Sequence, residues 1–495
     1  MSTTPASGST PDISPKQLQR RVVGIAISAA VGGFLFGFDS SVVNGAVDAM
    51  QTAFNLSEVA IGFAVASALL GCALGAYLAG RIADSRGRIF TMLIGAGLFF
   101  VSSFGAGFAF APWDLIIWRV VGGLGIGIAS VVAPAYIAEI APSTIRGRLA
   151  SLQQLAITLG IFAALLSDSL LAGAAGGAIK ELWFGVEAWR WMFIACAIPA
   201  VVYGLLALRL PESPRFLVRA GRVDEARKVF ASILPKAEVD KAVREAEQAV
   251  KQDETTKKAS LWSGPGRLLP IVWIGIILSI FQQFVGINVI FYYSTTLWKA
   301  VGFQESDSFT ISVITSVTNV AVTIVAILLV DRIGRRPILL TGSIGMAVSL
   351  GAMAISFMNS STNAAGDVSL DQPWGTVALI AANVFVVAFG ASWGPLVWVL
   401  LGEIFPGKIR AKALGVAAMA QWIANFLITV TFPGLSAWSL PLTYGMYAFF
   451  ALLSFFFVLI KIPETNGLTL EQAETLFVKK PKGQNAAAKA ATKTV

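Results

Sequence analysis

Twelve stretches of about 20 mostly apolar residues constrain the fold of this chain more than any other feature. A stretch of this length lets an α-helix cross the hydrocarbon core of a bilayer. Only helices and closed barrels can cross lipid, and the ten-residue alternation of barrel strands is missing here. The sequence therefore predicts an all-α membrane protein with twelve transmembrane helices. The predicted spans lie near 24–46, 58–80, 89–110, 114–137, 148–172, 188–209, 271–298, 308–330, 337–359, 375–401, 411–434 and 439–460.

The composition excludes several classes of function. Apolar residues make up 56% of the chain and charged residues only 13%, against about 25% in a soluble protein. The absence of histidine excludes histidine-based triads, metal sites and proton relays. Cys72 and Cys196 lie in apolar runs and cannot form a four-thiolate site. No phosphate-binding Walker motif occurs, so ATP-driven transport is not expected. We also expect no cofactor, no metal and no catalytic residue.

Basic residues set the predicted orientation. All but four of the 37 Lys and Arg residues fall in the tails or in the loops after even-numbered spans, so both termini are predicted to be cytoplasmic, in a cell (plasma or inner) membrane. The net charge of +9 then reflects orientation and not nucleic-acid binding. We expect a disordered cytoplasmic tail over 1–20, a six-helix half over 21–209, a cytoplasmic helical linker over 210–265, a six-helix half over 266–462 and a cytoplasmic tail over 463–495.

The two halves repeat short motifs at equivalent loops. Asp84–Arg88 after span 2 matches Asp331–Arg336 after span 8, and Glu139–Arg146 after span 4 matches Glu403–Arg410 after span 10. Span 6 is followed by Pro211–Arg215, and span 12 is followed by the similar segment Pro463–Thr465. Two similar halves that rock about a midplane site are typical of secondary transporters.

Five further motifs carry a family resemblance over roughly residues 20–475. The chain resembles the sugar porters of the major facilitator superfamily, and among them it is most similar to bacterial glucose–proton symporters. The motifs are Gly32–Asp39, Pro211–Arg215, Phe281–Asn288, Ser392–Pro395 and Gln421–Asn425. The resemblance implies two six-helix halves that import a monosaccharide together with a proton by alternating access.

The same resemblance implies the sugar site, and amide side chains suit sugar hydroxyls because they both donate and accept hydrogen bonds. Hydrogen bonding between helices is the alternative explanation for such amides. Because Gln282, Gln283 and Asn288 do not share one helix face, we expect a distortion near Gly286. The implied sugar-site positions are Phe36, Gln154, Gln282, Gln283, Asn288, Tyr292, Asn319, Trp393, Trp398, Gln421, Trp422 and Asn425.

Three charged residues fall well inside predicted spans, where charges are functional candidates. Asp39 and Arg119 lie at equal predicted depth, so the two can pair, and Asp39 is the best-placed proton carrier. A static structural pair is the alternative. Asp168 falls near the outer end of its span, where we expect water to reach it.

Carboxylates and arginines at the cytoplasmic helix ends form another candidate site. In the resembling family these residues form an inner gate, while orientation alone would explain the arginines. We expected exposed pairs worth about 0–1 kcal/mol each. The implied gate residues are Asp84, Arg86, Arg88, Glu139, Arg146, Arg148, Asp331, Arg335, Glu403 and Arg410.

Glycines spaced by four residues are predicted to let helices pack closely, rather than to bind a nucleotide. They are Gly33, Gly37, Gly71, Gly75, Gly123 and Gly127.

The leading interpretation is a proton-coupled hexose importer, most consistent with D-glucose, that is monomeric and contacts only its sugar, a proton and lipid. A symporter for another sugar or polyol, such as galactose, xylose or myo-inositol, is one alternative. Xylose is disfavoured because Ile161 replaces a glutamine that the xylose symporter carries. A sugar sensor that transports nothing is the other alternative, and an enzyme is not expected.

Overall fold

The computed structural model describes residues 15–141, 146–256, 260–264, 267–362, 368–406 and 409–465. Four predicted gate side chains, those of Arg146, Arg148, Asp331 and Arg410, lie outside this description. The chain divides into two compact units. The first comprises Met1–Leu56 and Ala64–Lys257, and the second comprises Ser57–Phe63 and Lys258–Val495.

The first unit is almost entirely helical. Its elements are α1 (Pro15–Phe54), α2 (Glu58–Arg86), α3 (Arg88–Gly107), α4 (Pro112–Ile140), α5 (Arg146–Ala175), β1 (Glu181–Trp183), β2 (Val186–Glu187), α6 (Ala188–Ala195), α7 (Ala197–Arg209), α8 (Pro214–Arg219), α9 (Val223–Ile233) and α10 (Lys236–Thr256). The first turn of α2 groups with the second unit. Strands β1 and β2 form a small antiparallel hairpin.

The second unit has the same character. Its elements are β3 (Trp262–Gly264), β4 (Arg267–Leu268), α11 (Pro270–Phe284), α12 (Ile287–Tyr292), α13 (Ser294–Ala300), α14 (Glu305–Ile333), α15 (Arg335–Met358), β5 (Ser361–Thr362), β6 (Val368–Ser369), α16 (Trp374–Gly390), α17 (Trp393–Ile404) and α18 (Arg410–Lys461). Its two hairpins, β3–β4 and β5–β6, are antiparallel.

Among the described residues, eleven helices are long and apolar enough to cross a membrane. The count is eleven instead of the predicted twelve because spans 11 and 12 are joined in the single helix α18. Within α18, only Ser439 departs from helical dihedral angles (φ −165°, ψ 106°). Pro441 follows two residues later, and a proline inside a helix removes one backbone hydrogen bond and bends the helix. The break at Ser439 therefore separates the two spans without a loop.

The predicted distortion near Gly286 is confirmed. Helix α11 ends at Phe284, α12 begins at Ile287, and Gly286 between them has a left-handed conformation (φ 79°, ψ 21°). The ring of Tyr447 packs where a side chain at this position would lie. Glycine is required here by both the dihedral angle and the close approach.

The glycine spacing in α2 and α4 also packs as predicted. A side chain added at Gly71 would meet the Val120 carbonyl group, and one added at Gly123 would meet the Ala68 carbonyl group. The backbones of α2 and α4 therefore approach each other closely, because glycines of both helices lie at the contact. This is the packing role of small residues in membrane helices and not a nucleotide site.

One expected boundary differs from the structure. Helix α1 begins at Pro15, so residues 15–20 form its first turns instead of a disordered tail. The segment between the sixth and seventh spans contains α8, α9 and α10, and Ser213 caps α8 by accepting a hydrogen bond from the Phe216 backbone N–H at 3.3 Å. Leu217, Val218 and Ala226 form its small hydrophobic core.

Replacing Gly286 by alanine should destabilise the second unit by about 1–3 kcal/mol, because alanine disfavours the left-handed conformation and its methyl group meets Tyr447. Thermal unfolding in detergent measures the effect. Gly351→Ala is the matched control, since Gly351 lies in α15 with open space around it. Equal melting temperatures for the two variants would contradict the proposed constraint at Gly286.

Candidate functional site

Amide side chains gather around the break between α11 and α12. The Gln282 side-chain nitrogen donates hydrogen bonds to the backbone oxygens of Trp393 (3.0 Å) and Gly394 (3.2 Å), at the start of α17. The Asn288 side-chain nitrogen donates to the Gln283 side-chain oxygen at 2.6 Å. The left-handed turn at Gly286 is what brings Asn288 back towards Gln283.

Two amide side chains of the second unit, one on α11 and one on α18, keep an open acceptor. The side-chain oxygens of Gln282 and Gln421 are buried and have no hydrogen-bond partner among the described residues. Buried polar atoms are nearly always paired, and an unpaired one costs about 1–3 kcal/mol. Two open acceptors in one unit therefore indicate that hydroxyl donors from a ligand or water complete them.

A second polar group lies beside α12. The Asn425 side-chain nitrogen is 3.5 Å from the Tyr292 hydroxyl oxygen, and the Asn425 oxygen accepts a hydrogen bond from Thr429 at 3.1 Å. Asn425 and Tyr292 are both buried. Asn425 stands one helical turn beyond Gln421 on the same face of α18, as the spacing predicts.

The remaining implied sugar-site residues divide by exposure. Asn319 is buried beside Gly390, while Trp422, Phe36 and Gln154 are half-buried, the last two in the first unit. The indole of Trp393 is fully buried, and its N–H donates to the Ser343 hydroxyl at 2.9 Å. Its geometry is that of core packing. Trp398 is 41% exposed.

The predicted pairing of Asp39 with Arg119 is present. An Arg119 guanidinium nitrogen donates to the Asp39 carboxylate at 3.0 Å, and both side chains are at most 10% exposed. Arg119 also lies over the Phe193 ring at 5.7 Å. The Arg119 Nε atom is buried and has no hydrogen-bond partner among the described residues.

A small cavity adjoins this pair. Its volume is about 10 Å³, enough for about one water molecule. The polar groups on its wall offer partners for such a water. The lining residues are Asp39, Ser102, Ser103, Ala106, Trp118, Arg119, Gly122, Phe193 and Cys196.

Asp168 corrects an expectation. It was expected to be wetted near the end of its span, but it is fully buried against α1. One carboxylate oxygen accepts a hydrogen bond from the Gly45 backbone N–H at 3.2 Å. Depth along a helix could be deduced from the sequence, whereas the direction in which Asp168 faces could not.

The Arg88 network, which comprises Arg88, Glu139, Glu212 and Ser213, joins four helix ends in the first unit. Arg88 donates to both carboxylate oxygens of Glu139, at 3.0 and 2.8 Å. Glu139 also accepts a hydrogen bond from the Ser213 hydroxyl. Glu212 accepts from the backbone N–H groups of Arg88 (2.9 Å) and Ser213 (2.7 Å). Asp84 pairs with Arg88 at 3.5 Å and with Arg219 at 2.5 Å.

The Arg335 network, which comprises Arg335, Glu403, Glu464 and Thr465, repeats this arrangement in the second unit. Arg335 donates to Glu403 at 3.0 Å, and Glu403 accepts from the Thr465 hydroxyl at 2.7 Å. Glu464 accepts from the Arg335 backbone N–H at 3.0 Å. The sequence repeat thus corresponds to a repeated set of contacts.

Three points differ from the expectation for these residues. Arg86 lies over the Phe90 ring at 5.6 Å and forms no ion pair with a described side chain. The central pairs are largely buried, with side-chain exposures of 8% and 10% for Arg88 and Glu139, so the value assumed for exposed pairs does not apply. The described contacts also involve five residues that were not proposed as gate members, and the Pro-Glu-Ser/Thr repeat pointed to all of them except Arg219. They are Glu212, Ser213, Arg219, Glu464 and Thr465.

Comparison with known proteins decides the family. The family described as "Sugar (and other) transporter" matches residues 25–477. The chain belongs to this sugar transporter family. It is 52% identical over 470 residues to the glucose transport protein of Synechocystis sp., covering 93% of this chain and 99% of the relative. It is 36% identical over 490 residues to the D-xylose-proton symporter of Escherichia coli, covering 92% and 96%.

The fold agrees with this assignment. The chain superimposes on the inward open structure of the xylose transporter XylE from E. coli with a TM-score of 0.78 and 34% identity, covering 92% of this chain and 100% of that one. The sugar transporter thus has the major facilitator fold, with two six-helix halves. Its family comprises transporters and not enzymes.

Glu139→Gln should destabilise the first unit of this sugar transporter by about 3–5 kcal/mol, because it leaves the buried Arg88 guanidinium without its carboxylate. Asp84→Asn is the control: Asp84 is 55% exposed and also bonded to an arginine, so its loss should cost at most about 1 kcal/mol. Thermal unfolding in detergent compares them. Similar losses for both variants would show that burial does not set the strength of these pairs.

Proposed function

We propose that this chain imports a monosaccharide, D-glucose, together with a proton by alternating access. The observation that carries the proposal is the amide cluster at the broken α11–α12 helix, together with the open acceptors of Gln282 and Gln421, in a chain of the sugar transporter family. The glucose transport protein that is 52% identical to the chain supports the choice of glucose. The relatives named as proton symporters support the coupling to a proton.

The sugar side of the mechanism rests on exchange of hydrogen-bond partners. A sugar hydroxyl donates to the open oxygen of Gln282 or Gln421 and accepts from a neighbouring amide N–H group. Gln283 and Asn288 hydrogen-bond to each other, and this contact orients their amide groups. Binding therefore replaces contacts within the cluster and leaves few buried polar groups unpaired.

The proton side rests on the Asp39–Arg119 pair. A proton on Asp39 removes its negative charge and weakens its attraction for Arg119, which then needs another partner. The water-sized cavity beside the pair offers a site for such a partner. Protonation thus changes which contacts hold α1 to α4, and this couples the proton to the conformation of the first unit.

We further propose that the Arg88 and Arg335 networks act as the inner gate. Each network fixes the end of a spanning helix to the segment that follows the last span of its unit. Opening of the cytoplasmic side must either break these buried contacts together or move each network as one group. A gate of this kind makes the transition cooperative, because losing one member exposes a buried charge.

The cellular setting follows from the charge distribution. The chain resides in the cell membrane with both termini cytoplasmic, because basic residues concentrate in the loops on that side. It acts as a monomer, without ATP and without nucleic acid.

A symporter for xylose is the second candidate function. Its support is the 36% identity to the D-xylose-proton symporter of E. coli. Uptake by proteoliposomes with an imposed pH gradient, measured for glucose, galactose, xylose and myo-inositol, separates the candidates. Accumulation of glucose above the others supports the proposal, and preferred accumulation of xylose replaces it.

Gln283→Ala should raise the Kd for glucose about tenfold, because it leaves a sugar hydroxyl and Asn288 without a partner. Binding by titration calorimetry in detergent measures the change. Gln304→Ala is the control, because Gln304 is exposed before α14 and uses only its backbone oxygen. An unchanged Kd for Gln283→Ala removes this residue from the site.

Asp39→Asn should abolish uphill accumulation of sugar while exchange between equal compartments continues, because asparagine imitates the protonated carboxyl group. An imposed pH gradient and counterflow in the same vesicles measure the two activities. Accumulation by Asp39→Asn would show that Asp39 is not the proton carrier. Loss of both activities would identify the pair as structural instead.

A further inference from the structure

Asp168 is a buried carboxyl group that the proposed mechanism does not use. It lies on α5, is 0% exposed and accepts a single hydrogen bond, from the Gly45 backbone N–H to Oδ2. Its other oxygen, Oδ1, is buried and has no hydrogen-bond partner among the described residues. A Cβ atom at Gly45 would lie 2.8 Å from the carboxyl group, so glycine provides the space that Asp168 occupies.

No described cation forms an ion pair with Asp168. Helix α5 packs against α1, α4, α6 and β1. Arg119 pairs with Asp39 and Arg190 pairs with Glu187. The charged or titratable groups on these packed elements are Lys16, Arg20, Arg21, Asp39 and Asp48 of α1, Asp114, Arg119, Tyr136 and Glu139 of α4, Arg190 of α6 with Cys196 directly after its end, and Glu181 of β1.

A charged carboxylate in this position is unfavourable. An isolated ionised group in an apolar interior costs far more than a neutral acid, and one backbone N–H does not offset that cost. A proton on Oδ1 neutralises the group and leaves Oδ2 as the carbonyl acceptor for Gly45. The packing therefore fits a protonated carboxyl group.

Asp168 also lies near the first proton site. Gly45, which donates to Asp168, lies on α1 six residues after Asp39, about 9 Å along the helix axis at 1.5 Å per residue. The two carboxyl groups therefore occupy one neighbourhood of the first unit. They differ in that Asp39 has a guanidinium partner and Asp168 has none in the described part of the chain.

We propose that Asp168 is a second proton-binding group of the carrier, holding a proton while α1 and α5 are packed as seen here and losing it when water reaches Oδ1. This inference rests on the proposed transport of sugar. Ionisation of Asp168 opposes the return to the packed arrangement. Rising pH therefore lowers the fraction of carrier molecules that can complete the cycle. This fraction falls by up to about tenfold for each pH unit above the pH at which the wetted Asp168 carboxyl group ionises.

The test measures sugar counterflow at equal pH on both sides of proteoliposomes, across a range from acid to alkaline. It uses Asp39→Asn protein, in which Asp39 cannot titrate. We expect exchange to fall at alkaline pH in this background and to remain high in Asp39→Asn/Asp168→Asn. The control, Asp39→Asn/Asp307→Asn, removes an exposed carboxyl group in the first turn of α14 and should keep the alkaline fall.

An alkaline fall that is identical with and without Asp168, or no fall in the Asp39→Asn background, overturns the proposal. If the variants do not fold, modification of wild-type protein by an apolar carbodiimide, mapped by mass spectrometry, decides instead. Modification at Asp168 that declines as pH rises supports the proposal, and its absence at acid pH overturns it. Failure of wild-type protein to exchange any sugar would refute the proposed transport but leave the carbodiimide result on Asp168 interpretable.

Discussion

A spanning segment in lipid must find every hydrogen-bond partner inside the protein, and the rest of this structure depends on that constraint. It requires the apolar stretches to be helices, since a helix pairs its own backbone. It also makes each polar side chain within a span informative. Asp39 has Arg119 as a partner, whereas Gln282, Gln421 and Asp168 each keep an open atom. We interpret these open atoms as positions where a ligand, water or proton completes the structure.

The break between α11 and α12 shows how the fold uses this constraint. An unbroken helix would point Gln282, Gln283 and Asn288 in different directions. The left-handed Gly286 interrupts the helix and lets the Asn288 amide reach Gln283. The cost of the interruption is limited because Gln282 pairs with the backbone oxygens at the start of α17. One local irregularity therefore both assembles the amides and satisfies a neighbouring helix end.

The Arg88 and Arg335 networks apply the same logic at the helix ends. Each arginine directly follows a glycine with positive φ, Gly87 or Gly334. Its backbone N–H donates to a glutamate in the segment that follows the last span of the same unit, Glu212 or Glu464. The close correspondence of the two sets agrees with a fold built from two related halves. Burial converts these contacts from weak surface pairs into groups that change together.

From the sequence alone one could predict the spans, a distortion near Gly286 and the equal depth that makes an Asp39–Arg119 pair possible, because these follow from positions along each helix. The merging of two spans at Ser439, the buried Asp168 and the fully packed Trp393 required the tertiary structure. So did the contacts of Glu212 and Glu464, which the repeat marked without showing their partners. Helix rotation sets which neighbour a side chain meets, and contacts distant in sequence determine that rotation.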